Sequence, residues 1–201
     1  MPRLDAKAGK ARGGSEARTS WWLAMGCLAL VTLAPGLAQA EDTRLLAVGV
    51  RAGFSGSTPL GKQSAQYFQQ YDAIAYLALP WEWYSHSGWG IGTRFLVSAG
   101  AVESEGDTGF ISTFVPGISL GTKEGRISLE SGAGVALLSE TKFGKQDFGG
   151  PFQFVWTVGA RVALFGPLGA GYWYQHISDA TIYGSQSRGL DLHMVEISYR
   201  Y

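Results

Sequence analysis

The chain has 201 residues, with 16 lysines and arginines against 16 aspartates and glutamates, 46% hydrophobic residues, 13% aromatic residues and 29 glycines. This hydrophobic and charge-balanced composition excludes an intrinsically disordered chain, and the lack of a basic excess disfavours a nucleic-acid partner. No stretch beyond residue 40 holds the roughly 18 apolar residues of a membrane-spanning helix, whereas the many glycines and aromatics at a mean hydropathy of +0.04 favour a β-rich protein.

Residues 1–40 are predicted to form a cleaved signal peptide. A basic leader precedes an apolar stretch over 21–33, and Ala38-Gln39-Ala40 supplies the small-x-small pattern of a signal-peptidase site. A membrane anchor is the competing interpretation, but the apolar stretch is short. Cleavage removes five basic and two acidic residues together with the lone Cys27. Residues 41–201 then form one domain without cysteine, with a net charge of −3.

Alternation is the dominant signal in residues 41–201. Over 152–164, Phe, Trp, Val, Ala and Leu occupy every second position, and 127–137 repeats the pattern. A period of two predicts a strand with one apolar face and one polar or small face. We predict eight such strands, over 44–54, 67–80, 89–100, 108–120, 126–138, 151–165, 167–178 and 189–201.

The strand lengths and connections predict a membrane barrel. Most runs reach the roughly 9–11 residues of a tilted membrane strand. Tight turns at 121–125 and 165–169 contrast with longer polar connections, which lie at 55–66, 101–107, 139–150 and 179–188, while the connection at 80–88 fits this alternation less well. Short turns on one side and long loops on the other are typical of outer-membrane barrels. The predicted fold is therefore all-β, an eight-stranded antiparallel transmembrane β-barrel after a cleaved signal peptide.

A soluble barrel such as a lipocalin is the alternative, with its apolar face turned inward. Aromatic residues near the strand ends favour the membrane barrel, because they resemble an interfacial girdle. The opposite faces carry Arg51, Arg94, Glu130 and Arg161, which suit a polar interior. Glu196 shares that inward side, and we expect it to pair with Arg161 or Arg94.

The last two strands hold most of the reactive side chains. His176 and Ser178 are two residues apart and therefore share one face of a strand. Asp191 lies at the start of the next strand, on the side that carries its apolar residues. If that face meets lipid, all three point outward on adjacent strands, near the outer leaflet. A serine, a base and a carboxylate are the parts of a hydrolytic triad. Other interpretations stay open. His176 and His193 are alternatively interfacial residues, and Asp191 a loop carboxylate. His193 is alternatively a second base or a metal partner, although two histidines are too few for a convincing metal site.

The run His176-Ile-Ser178-Asp179-Ala180, followed by Gly189-Leu190-Asp191 and a closing Tyr-Arg-Tyr, resembles the signature of the PagL family of outer-membrane lipid A 3-O-deacylases. The sharp match covers about 26 residues, and the strand layout extends it loosely over the chain. The resemblance implies that Ser178 is the nucleophile, His176 the general base and Asp191 the carboxylate that orients the base.

The same resemblance implies an oxyanion or substrate-binding role for Asp179, Ala180 and Thr181. The family has Asn where this chain has Asp179, and that Asn resembles an oxyanion-hole donor. An ionised carboxylate would repel a developing oxyanion, and losing one donor costs about 10²–10³ in rate. A protonated Asp179, or backbone N–H groups near Ala180 and Thr181, would relieve the repulsion.

The expected function is that of an outer-membrane serine esterase that removes the ester-linked 3-hydroxyacyl chain at position 3 of lipid A. The expected partners are lipid A of lipopolysaccharide and outer-membrane lipid, with no metal or organic cofactor, and a homodimer is left open. Two alternatives remain: a non-catalytic small barrel with a structural or adhesive role, and a lipid A acyltransferase.

Overall fold

The computed structural model describes residues 43–55, 66–184 and 189–201, so the predicted signal peptide lies outside the described residues. It contains ten strands: β1 (Arg44–Ser55), β2 (Gln69–Tyr84), β3 (Trp89–Ser104), β4 (Asp107–Thr122), β5 (Ile127–Leu138), β6 (Lys142–Phe143), β7 (Gln146–Asp147), β8 (Phe152–Ala163), β9 (Leu168–Ser178) and β10 (Leu190–Arg200). Within these ranges there is no helix with the length and hydropathy needed to cross a bilayer.

Eight of the strands close into an antiparallel barrel in the order β1-β10-β9-β8-β5-β4-β3-β2, and β6 and β7 form a separate two-stranded hairpin. The predicted eight-stranded barrel is confirmed. We call the end where β1 begins and the chain ends the lower end, and the opposite end the upper end. Each strand of the barrel bonds to two neighbours, so the sheet has no open edge.

Three strands extend further than the sequence predicted. β2, β3 and β4 each have 16 residues, so most of the expected connections at 80–88 and 101–107 are strand. The second of these shrinks to Glu105 and Gly106, with φ angles of 52° and 88°. Two successive positive φ angles make the kind of two-residue turn that matches the twist of a tight hairpin.

The barrel turns its apolar face outward. Exposed positions along the strands carry large hydrophobic side chains such as Val50, Leu129 and Ile197, which are 58%, 57% and 54% exposed. Because water would disfavour such a continuous apolar wall, its solvent is the hydrocarbon of a membrane. This orientation is the reverse of the soluble-barrel alternative.

The interior combines buried apolar side chains with two buried ion pairs. Arg51 and Asp72 form a fully buried ion pair at 2.9 Å, and Arg161 pairs with Glu130. The predicted pairing of Glu196 with Arg161 or Arg94 is not found. Instead, Oε2 of Glu196 accepts a hydrogen bond from the hydroxyl of Tyr76 at 2.6 Å. Since Arg161 is already matched by Glu130, this carboxylate has a neutral donor from β2 as its partner, and its Oε1 has no hydrogen bond within the described residues.

An aromatic cluster closes the upper end of the barrel. Phe68, Phe143 and Phe148 are fully buried and pack edge to face, with ring centroids 5.7 to 6.0 Å apart. Two of these rings come from the segment around the β6–β7 hairpin, which therefore folds over the interior. Because the interior is closed at this end, a lipid molecule can contact only the side chains on the outer wall.

Candidate functional site

The register of β9 against β10 brings the predicted site residues together at the upper end. His176 and Asp191 are direct cross-strand partners, and Ser178 lies two residues further along β9 on the same outward face. On the other side of β9, Phe154 and Trp156 lie opposite Ser178 and His176. The shared outward face predicted for the three polar residues is therefore observed, within an aromatic section of the wall.

A hydrogen bond joins the histidine to the acid. The distance from His176 Nδ1 to Asp191 Oδ1 is 2.7 Å, and the two side chains are 21% and 5% exposed. When the carboxylate is ionised, Nδ1–H donates to it and Nε2 keeps a lone pair that can accept a proton. Direct cross-strand pairing brings the short Asp191 side chain within reach of the ring.

Gly189 shows where the other ring nitrogen points. This residue lies one position beyond the Leu190–Ile177 pair, so it stands opposite Ser178. A Cβ built on Gly189 would lie 3.1 Å from Cε1 and 3.7 Å from Nε2 of His176. The Nε2 edge of the imidazole therefore reaches toward the level of Ser178. In the described part of the chain no hydrogen bond joins Ser178 to His176, and such bonds often tighten only when substrate binds.

Asp179 stabilises the turn that follows the serine. Ala180 and Thr181 have φ angles of 48° and 70°, and the Ile182 N–H donates to the Asp179 carbonyl at 3.0 Å, as in a type I′ turn. The Asp179 carboxylate accepts the N–H groups of Thr181 at 3.0 Å and Tyr183 at 3.3 Å. These bonds offset the strain of a β-branched residue at positive φ, roughly 1–3 kcal/mol.

One of the backbone N–H groups expected to bind the oxyanion has no hydrogen-bond acceptor among the described residues. The N–H of Thr181 is engaged by Asp179, whose side chain is buried and directed at its own loop. No hydrogen bond among the described residues uses the N–H of Ala180. The backbone N–H of Ala180 therefore remains able to donate, whereas that of Thr181 is already engaged.

Two further residues contact the site, and sequence reasoning did not assign them. The hydroxyl of Tyr174 donates to Asp191 Oδ1 at 2.5 Å, and Gly189 leaves space for the imidazole. The spacing of Tyr174, His176 and Ser178 places all three on one face, which is the only sequence signal for the tyrosine. The sequence of one strand does not reveal which residue of the neighbouring strand a tyrosine hydroxyl will bond.

His193 lies two residues beyond Asp191 on the same face of β10, and it bonds to a different group. Its Nδ1 is 2.6 Å from the hydroxyl of Tyr172, and its ring stacks near Phe54 with centroids 6.0 Å apart. Among residues 43–55, 66–184 and 189–201 there is no group of three or more His, Cys, Asp or Glu side chains that could hold a metal ion.

Comparison with known proteins gives one family and one fold. The family model described as lipid A 3-O-deacylase (PagL) matches residues 69–200. Among solved structures, the barrel is similar to the outer membrane enzyme PagL, with a TM-score of 0.61 and 20% identity over 76% of this chain and 98% of that one. No curated protein matches the sequence.

Two other barrels match more weakly. The outer membrane protein Ail of Yersinia pestis has a TM-score of 0.40 and 11% identity, covering 78% of this chain and 99% of that one. The translocator domain of the autotransporter NalP from Neisseria meningitidis has a TM-score of 0.30 and 12% identity, covering 89% and 95%. Scores at this level carry no argument about function.

Proposed function

Because the chain belongs to the PagL family of lipid A 3-O-deacylases, we propose that it is an outer-membrane serine esterase that removes the ester-linked 3-hydroxyacyl chain at position 3 of lipid A. The observation that carries the proposal is the His176–Asp191 pair beside Ser178 on the lipid-facing wall. These side chains supply a nucleophile, a base and an orienting carboxylate.

The reaction proceeds through an acyl-enzyme. Ser178 Oγ attacks the ester carbonyl while Nε2 of His176 takes its proton, and Asp191 stabilises the imidazolium through Nδ1. The bond between the carbonyl carbon and the sugar oxygen then breaks, and His176 gives the proton to that oxygen. Water attacks the acyl-enzyme, His176 accepts the proton of the water, and release of the hydroxy fatty acid returns it to Ser178.

The N–H of Ala180 is the proposed donor to the oxyanion. It belongs to the strained turn that begins next to Ser178, and a backbone donor held by such a turn needs no reorganisation during the reaction. Asp179 then has a supporting role, because its carboxylate holds the turn through Thr181 and Tyr183. Its negative charge still opposes the oxyanion, which makes the turn less effective than one with a neutral side chain.

The position of the site suits a lipid substrate. With the start of β1 and the end of β10 on the periplasmic side, the upper end of the barrel faces the outer leaflet, where lipid A is found. The apolar wall beside Ser178, including Phe154 and Trp156, lets the acyl chain remain in hydrocarbon while its ester reaches the serine. This arrangement disfavours a purely structural barrel, for which an outward-facing His–Asp pair has no use.

Mass spectrometry of lipid A from cells that express the protein tests the proposal. Wild-type protein should remove one 3-hydroxyacyl group, and Ser178→Ala should leave lipid A intact. Ser131→Ala is a matched control, because Ser131 lies on the outward face of β5, away from the site, and should retain activity. Deacylation by a folded Ser178→Ala barrel would contradict the assignment of the nucleophile.

A further inference from the structure

The geometry points to Tyr174 as a positioning residue for this reaction, one that locks the Asp191 carboxylate in the orientation that His176 needs. This inference rests on the proposed function, since it concerns the same His–Asp pair. It adds a fourth side chain, from the middle of β9, to the three that carry out the chemistry.

The hydrogen bonds converge on one oxygen. Asp191 Oδ1 accepts the hydroxyl of Tyr174 at 2.5 Å and Nδ1–H of His176 at 2.7 Å. The Asp191 side chain is 5% exposed, so water cannot readily replace either donor. Hydrogen bonds to a charged acceptor in such a setting are short and strong, so this pair of donors fixes the torsion angle of the carboxylate.

A second donor matters because the acid is an aspartate. Asp191 stands directly opposite His176, and its short side chain has one productive rotamer from which Oδ1 meets Nδ1. Without the tyrosine, the carboxylate is free to rotate toward other donors at the membrane surface. The imidazole would then lose the tautomer in which Nε2 can accept the serine proton.

The tyrosine is itself held in place. Its ring packs edge-on against Trp156, with centroids 5.9 Å apart, and against His193 at 5.6 Å. Tyr174 as a whole residue is 9% exposed, whereas Tyr172, two residues away, is 52% exposed. A buried ring with two aromatic neighbours loses little entropy when its hydroxyl bonds the acid, which suits a residue that orients another.

Steady-state kinetics of purified, folded variants on lipid A in detergent micelles test the inference. Tyr174→Phe should lower kcat by about 10- to 100-fold and leave KM nearly unchanged, because the lost contact acts on the base rather than on bound lipid. Tyr172→Phe is the matched control: it removes a hydroxyl from the same face, but that hydroxyl bonds His193. Its kcat should equal that of the wild type.

A double-mutant cycle separates positioning from general damage. In an Asp191→Asn background, Tyr174→Phe should cause less than a twofold further loss, because the tyrosine acts through the acid. Additive losses, or wild-type kcat in Tyr174→Phe, would overturn the inference. Ser178→Ala and His176→Ala, measured alongside, test the proposed function separately. If either variant stays active, the assignment of the triad is wrong. If both are inactive while Tyr174→Phe has normal kcat, only the role of Tyr174 is wrong.

Discussion

Gly189 offers a sharp test of how the imidazole is held. The alanine side chain in Gly189→Ala would place its Cβ 3.0 Å from the carbonyl oxygen of Ile177 and 3.1 Å from Cε1 of His176. Ordinary van der Waals contact starts near 3.4 Å. The carbonyl belongs to a barrel strand, so the backbone of residue 189 must shift slightly away from it, and the imidazole must move by a few tenths of an ångström.

That displacement sets the expected loss. Catalytic groups have to stay within about 0.5 Å of their productive positions, and a misplacement of 1 Å costs roughly 10²-fold. A shift of a few tenths of an ångström should therefore lower kcat about tenfold, or about 1.4 kcal/mol in the barrier. Stability should change little, since replacing a glycine lowers the conformational entropy of the unfolded chain and gains roughly 0.4–1 kcal/mol, which offsets the crowding.

The assay is release of the hydroxy fatty acid by purified Gly189→Ala, with urea unfolding of the same preparation. Gly169→Ala is a suitable control, because it lies in the same strand pair at the lower end and its Cβ would meet comparable contacts, 3.2 Å from Ser198 Oγ and 3.3 Å from the carbonyl of Val162. It should keep full activity. Wild-type kcat in Gly189→Ala, or equal losses in both variants, would refute the reasoning.

Two further predictions concern charge. Asp179→Asn should raise kcat up to about tenfold, because it removes a negative charge near the oxyanion while one side-chain oxygen still accepts from the turn; a slower variant in the same fatty-acid release assay would contradict this. Asp72→Ala should destabilise the barrel by about 3–5 kcal/mol in urea unfolding, because it leaves the fully buried Arg51 without its carboxylate. A loss under 1 kcal/mol would show that water or another group compensates Arg51.

Much of the fold could be predicted from the sequence, because alternate residues of a barrel strand face either the lipid or the interior and therefore alternate in polarity. The run from Phe152 to Leu164 shows this most clearly, and all eight predicted barrel strands are found. The errors came where polar or small residues continue a strand beyond the apolar belt. Glu103 and Ser104, for example, still belong to β3, which ends in a tight turn rather than a loop.

The site was predictable in part for a similar reason. The face shared by His176 and Ser178 follows from their spacing, and their proximity to Asp191 follows because the last two strands are antiparallel neighbours. The contacts that depend on register could not be foreseen. Examples are the bond from Tyr174 to Asp191, the position of Gly189 beneath the imidazole, and the tyrosine partner of Glu196.

The most direct test is covalent labelling of the serine. A fluorophosphonate incubated with the folded protein in detergent should form an adduct on the peptide that contains Ser178, detected by mass spectrometry. His176→Ala should lose the adduct although the serine is still present, because the hydroxyl then has no base to accept its proton. An unlabelled Ser178 in active protein, or labelling at full rate without His176, would contradict the account.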